Sequence, residues 1–242
     1  MATKRITKKQ AADISRMAAI VEKLKTIYPD VVCALEWGGQ HGGEPAFLLK
    51  ESWKLLVMGR LSAQCTDARV NIVCKDLFEK FPTVQAMADG AIEDIEAIVR
   101  PCGLYRTKAS QIKEECRMLV EDFGGVLPDD MDTLLSFPGV GRKIANLLLG
   151  DVFGKPAVVA DTHCIRIAGR LGFVKEGEKR PEVVEKTLSS CVEPQKQSDL
   201  CHRLVQFGRD VCSARAPKCA VCPLADLCKA GAKGKKTDGN VD

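Results

Sequence analysis

The chain has 242 residues, 45% hydrophobic and 28% charged, enough apolar material to bury a core and too much for a disordered polymer. Its formal net charge of +4 is mildly basic, which suits a polyanionic partner without requiring one. Apolar runs are too short to cross a membrane: Ile144 to Gly150 stops at Asp151, and Pro156 to Ala160 stops at Asp161.

The first twenty residues are basic and lack the apolar run of a secretory leader. Ile14, Met17, Val21 and Leu24 follow helical spacing, so a structured helix is expected there. A cluster of Gly38, Gly39, Gly42, Gly43 and Pro45 then reads as a flexible loop. Pro82, Gly90, Pro101–Gly103, Gly124–Gly125, Pro128, Gly154 and Pro156 punctuate the middle of the chain. Between them, Ala109, Ile112, Cys116, Leu119 and Val120 keep helical spacing, as do Ile144, Ala145, Leu148, Leu149 and Val152. Alternating strand patterns are scarce, and aromatic content is 5%. The fold class is therefore all-α. The lysine- and glycine-rich tail from Lys229 is expected to be disordered.

The segment Phe137-Pro138-Gly139-Val140-Gly141-Arg142-Lys143 carries the most information. A short helix over 129–136, capped by Asp129 or Asp130, leads through this turn into a second helix from Arg142 to Val152. The result is a helix–hairpin–helix. Gly139 and Gly141 let backbone come close to a phosphate, and Val140 and Arg142 complete the cradle at a helix N-terminus. Such contact positions DNA without reading its sequence. A Rossmann fingerprint needs a third glycine, where Ile144 stands, and a P-loop needs a different spacing. A corner whose glycines serve only packing is the plain alternative.

Lys143 falls on the first turn of that helix beside Arg142. Both the dipole and the neighbouring cation disfavour its protonated form, and a neutral amine can attack a sugar carbon. Asp161, in Val159-Ala160-Asp161-Thr162-His163, suits the N-cap of a helix over 162–171. It also suits a carboxylate that accepts the lysine proton or stabilises a cationic sugar.

Eight of the twelve cysteines are scattered and read as small hydrophobes in a reducing compartment. The other four, Cys212-x6-Cys219-x2-Cys222-x5-Cys228, form a ligand set for zinc or an iron–sulfur cluster. One C-x2-C flanked by longer spacings favours [4Fe-4S]. Arg215 and Lys218 lie between the first two ligands and could hold a phosphate.

Together these features resemble the endonuclease III family of DNA glycosylases, from about Ser52 to Cys228. Leu61-Ser62-Ala63-Gln64-Cys65-Thr66-Asp67 is similar to its LSAQxTD segment, Gly103-Leu104-Tyr105-Arg106-Thr107-Lys108-Ala109 to its GLYxxKA segment, and Val159 to Arg170 to its VxDTHxxRxxxR region. The resemblance implies a six-helix domain over 45–155 and a second helical domain from 1–44 and 156–242. A DNA cleft would lie between them. It implies damaged double-stranded DNA as partner, with Gln64 filling the gap left by an extruded base and Leu104 wedging the opposite strand. It implies a bifunctional glycosylase and AP lyase for oxidised pyrimidines, in which Lys143 forms a Schiff base, Asp161 assists and β-elimination cuts the strand. A mismatch- or photoproduct-directed glycosylase, or a non-catalytic DNA-binding module with structural zinc, are the alternatives. A monomer in a prokaryotic cytoplasm, associated with the nucleoid through DNA and with no membrane, is expected. Arg60, Phe137 and Ile144 depart from the family pattern, at positions where an apolar residue, Leu and Thr are usual.

Overall fold

The computed structural model describes residues 7–38 and 45–234. Among them there are twelve α-helices and no strands, so the chain is all-α. Most of the glycine loop foreseen after Trp37 lies at 39–44, outside the described residues. By contact density the chain divides into two compact units, one of residues 1–32 and 156–242 and one of residues 33–155.

The 33–155 unit carries α2 (Pro45–Leu61), α3 (Asp67–Lys80), α4 (Val84–Asp89), α5 (Ile92–Val99), α6 (Tyr105–Phe123), α7 (Met131–Ser136) and α8 (Arg142–Asp151). That makes seven α-helices where six were expected. The six-residue α4 fits between Pro82 and Gly90 because Thr83 caps it, accepting from Ala86 N at 3.0 Å. Its core is α2 packed on α3, α6 and α8. Trp53, Leu55, Leu56 and Met58 of α2 are buried, with Ile112, Cys116 and Leu119 of α6 and Ala145 and Leu148 of α8. A Cβ on Gly59 would sit 3.3 Å from Ile144 Cγ2, so the absence of a side chain at Gly59 lets α8 present a branched residue there.

The other unit carries α1 (Lys8–Ile27), α9 (Thr162–Leu171), α10 (Pro181–Ser189), α11 (Gln197–Asp210) and α12 (Lys229–Gly234). A capping box between Thr7 and Gln10 starts α1. Met17, Ile20, Val21 and Leu24 form its buried stripe. Phe207 of α11 and Ile167 of α9 are buried in the same unit. Arg203, 5% exposed, ties α11 to the end of α1 by donating to Tyr28 O at 3.0 Å. Residues 229–234 are helical, which corrects the expectation of disorder from Lys229. Composition there is poor in apolar residues, but Lys229 Nζ donates to Gly172 O at 3.1 Å and Gly231 lies close to Ala225 and Cys228. Residues 235–242 lie outside the described residues.

Candidate nucleic-acid interface and cysteine cluster

α7 begins where Asp130 Oδ1 accepts from Thr133 N at 2.9 Å and ends at Phe137. Phe137 is buried and stacks on Phe123, ring centroids 5.5 Å apart, which anchors the turn that follows. The turn closes through Val140 N donating to Phe137 O at 3.1 Å. Proline followed by a glycine at φ 76° is the pattern a type II turn requires. Arg60 Nη1 donates to Gly139 O at 3.2 Å, and a Cβ on Gly139 would meet Arg60 and Gln111 at 2.9 Å. The departure at Arg60 therefore has a place: it is a brace under the hairpin.

Gly141 is the N-cap of α8 and supplies no side-chain cap. Side-chain caps start α1, α3, α4, α7 and α9, whereas α5, α6, α10 and α11 lack one as α8 does. The N-terminus of α8 carries no side chain of its own over the positive end of the helix, the end that favours an anion. Gly139, Gly141, Arg142 and Lys143 are exposed. Val140 is buried and uses its N–H in the turn, so its contribution is the shape of the hairpin. Lys143 is the second residue of α8, in the turn at the positive end of the helix.

Gln64 and Leu104 share an unusual backbone. They are the non-glycine residues at positive φ among those described, 55° and 48°. A left-handed backbone costs an ordinary residue about 1–3 kcal/mol and clusters at functional sites. Both are exposed, and Leu104, 61% exposed, is a large apolar side chain facing solvent.

In the other unit, Asp161 is the N-cap of α9, its Oδ1 accepting from Cys164 N at 2.7 Å. The four cysteines of 212–228 are in no disulfide. They line one cavity with Ile167, Phe207, Val211 and Leu224. Only two single 3-10 turns, Cys219–Val221 and Ala225–Leu227, give this segment regular structure. Two arginines of α9 hold its start. Arg166 donates to Cys212 O at 3.0 and 3.2 Å. Arg170 donates to Ser213 O at 2.6 Å, to Ala214 O at 2.8 Å and to Cys212 Sγ at 3.3 Å. Burial pulls the Arg166 guanidinium below its ordinary value. Four cysteine sulfurs around an apolar cavity, one of them accepting from a guanidinium, fit an iron–sulfur cluster of net negative charge. Arg215 and Lys218 stand exposed on the same loop. The bracing roles of Arg166 and Arg170 escaped sequence reasoning; their i, i+4 spacing on one helix was the available signal.

A glycine hairpin that opens α8, a lysine on the first turn of that helix and a four-cysteine loop define a helix–hairpin–helix protein with a metal-cluster loop. Residues 57–194 match the HhH-GPD superfamily of base excision DNA repair proteins, and residues 212–228 match the iron–sulfur binding domain of endonuclease III. The second match starts at Cys212 and ends at Cys228. Endonuclease III of Bacillus subtilis (strain 168) is 38% identical over 93% of this chain and 96% of its own. The Escherichia coli K12 enzyme is 38% identical over 73% and 83%. A solved non-covalent endonuclease III–DNA complex superposes with a TM-score of 0.80 at 38% identity, covering 92% of this chain and 98% of that one. A trapped endonuclease III–DNA covalent intermediate gives 0.79. The chain belongs to the endonuclease III family, and its cofactor is a [4Fe-4S] cluster.

Proposed function

We infer that this chain is a bifunctional DNA glycosylase and AP lyase that removes oxidised pyrimidines from double-stranded DNA. The observation that carries this reading is Lys143 on the uncapped first turn of α8, in a chain 38% identical to an enzyme solved as a trapped covalent DNA intermediate.

Lys143 Nζ attacks C1′ of the damaged nucleotide, and the C1′–base bond breaks with its electron pair leaving on the base. Asp161 assists by taking the amine proton and stabilising positive charge on the sugar. Ring opening gives a Schiff base between Lys143 and C1′. Loss of a C2′ proton then expels the 3′ phosphate by β-elimination, and hydrolysis frees the lysine. Gly139, Gly141 and Arg142 hold a DNA phosphate, with Val140 shaping the turn. Gln64 fills the vacated stack and Leu104 wedges the opposite strand. Cys212, Cys219, Cys222 and Cys228 hold the [4Fe-4S] cluster, which supplies the cross-link that this loop lacks. Arg215 and Lys218 meet DNA phosphates from that loop. We place the enzyme in the cytoplasm as a monomer that reaches the nucleoid through its DNA affinity. Among the described residues, no helix is long and apolar enough to cross a membrane.

Borohydride trapping on thymine-glycol and abasic duplexes tests the reading. Wild-type protein gives a covalent complex and Lys143→Gln gives none. Trapping that survives Lys143→Gln overturns the assignment of the nucleophile.

A further inference from the structure

Lys108 of α6 is 0% exposed. A buried ammonium persists only when its protons find acceptors. It finds three, all backbone: Ala63 O at 2.7 Å, Cys102 O at 2.8 Å and Leu61 O at 2.9 Å. Burial still pulls the group below the ordinary lysine range.

Those three carbonyls belong to two separate loops. Leu61 ends α2, and Ala63 lies in the turn after it, next to Gln64. Cys102 closes the 3-10 turn Arg100–Cys102, and Gly103 then leads into Leu104. One ammonium thus sits behind the two non-glycine residues whose backbones are left-handed. Such backbones survive where their surroundings over-determine them. A single charged group with three acceptors at 2.7–2.9 Å does that for both loops at once.

We propose that Lys108 is the positioning residue of the lesion probe: its buried ammonium fixes the loops of Gln64 and Leu104 relative to each other, so that the two side chains enter a duplex as one rigid device. The inference rests on the proposed function, which gives Gln64 and Leu104 their roles on DNA. Lys108 touches no reacting atom, and it acts through the carbonyls it holds.

The test separates probing from chemistry. Lys108→Met is compared with wild type in single-turnover excision of thymine glycol from duplex DNA, and in strand cleavage at an abasic site in single-stranded DNA, which offers no stack to probe. Excision from the duplex is expected to fall about 10²-fold, the cost of misplacing a group by an ångström. Cleavage of the single strand stays at the wild-type rate. Equal losses on both substrates mean that Lys108 only stabilises the fold and overturn the proposal, as does an unchanged rate on the duplex. Wild-type protein that excises no thymine glycol overturns the proposed function instead. Where Lys108→Met does not fold, Gln64→Gly and Leu104→Gly carry the test. Each is expected to hold or raise the melting temperature while slowing duplex excision, because glycine relieves the left-handed backbone. A lowered melting temperature in both shows that these backbones are not held in strain, and the proposal falls.

Discussion

The two units hold their working loops with cations aimed at backbone carbonyls, at different depths. In the 33–155 unit, Lys108 is fully buried and gathers three carbonyls from loops flanked by long helices. In the other unit, Arg166 and Arg170 are half-buried and gather the carbonyls of 212–214, at the start of a segment with only two 3-10 turns. The first arrangement is complete in protein atoms alone. The second fixes the start of a seventeen-residue match, Arg16 and Lys23 of α1 donate to Leu227 O at 3.0 Å and Pro223 O at 3.2 Å near its end, and the stretch between has its cysteines. A loop between packed helices can be set by one buried charge, whereas a loop with little regular structure needs a cross-link through the cluster.

Breaking the cross-link should have the largest effect. Cys219→Ser, or removal of iron with a chelator, is expected to expose residues 212–228 to proteolysis and abolish strand cleavage. Far-UV circular dichroism should change little, because the long helices lie elsewhere. Limited proteolysis with mass mapping checks this, and a loop that stays resistant without iron would show that the arginines suffice.

In the 33–155 unit, Gly139→Ala puts a side chain on a backbone at φ 76° and against Arg60 and Gln111 at 2.9 Å. The expected cost is about 1–3 kcal/mol, read from urea unfolding, together with weaker binding to undamaged duplex. Gly141→Ala, where a Cβ meets nothing within 4 Å and φ is −103°, should cost much less stability.

Asp161 separates cap from chemistry. Asp161→Ala should lose about 1 kcal/mol with the α9 cap, while Asp161→Asn keeps the cap and that stability. Both should slow excision. A rate retained in Asp161→Asn would make the residue a cap and nothing more.

The smallest effect sharpens the account of the brace beneath the hairpin. Arg60 Nε, Gln111 Oε1 and both carboxyl oxygens of Glu115 are buried without hydrogen-bond partners among the described residues. Burial raises the Glu115 pKa well above the carboxylate range, against a weaker opposing pull from Arg60. The folded chain therefore keeps a proton that the unfolded chain releases above about pH 4.3, and stability falls as pH rises from there towards the raised folded value. Glu115→Gln removes that fall. Its advantage over wild type in thermal unfolding should grow as pH rises above the ordinary carboxylate range. An advantage that does not change with pH would show Glu115 already ionised.

Much of this was legible in the residues. Asp129 or Asp130, and Asp161, announced helix starts; the structure caps the first with Asp130 and begins the helices at Met131 and Thr162. The interval between Gly141 and Val152 read as a helix because its apolar residues recur at helical spacing, and the observed helix ends one residue earlier, at Asp151. The tail from Lys229 misled because composition does not register an anchor such as Gly172. The local motifs, with the helices they cap or open, were decided by the sequence itself, since caps, turns and periodicity act over three or four residues. The partners of Lys108 lie up to 47 residues away, and Gly139 lies 79 from the arginine that braces it. No spacing rule reaches that far, so only tertiary packing could decide which carbonyls a buried cation would meet.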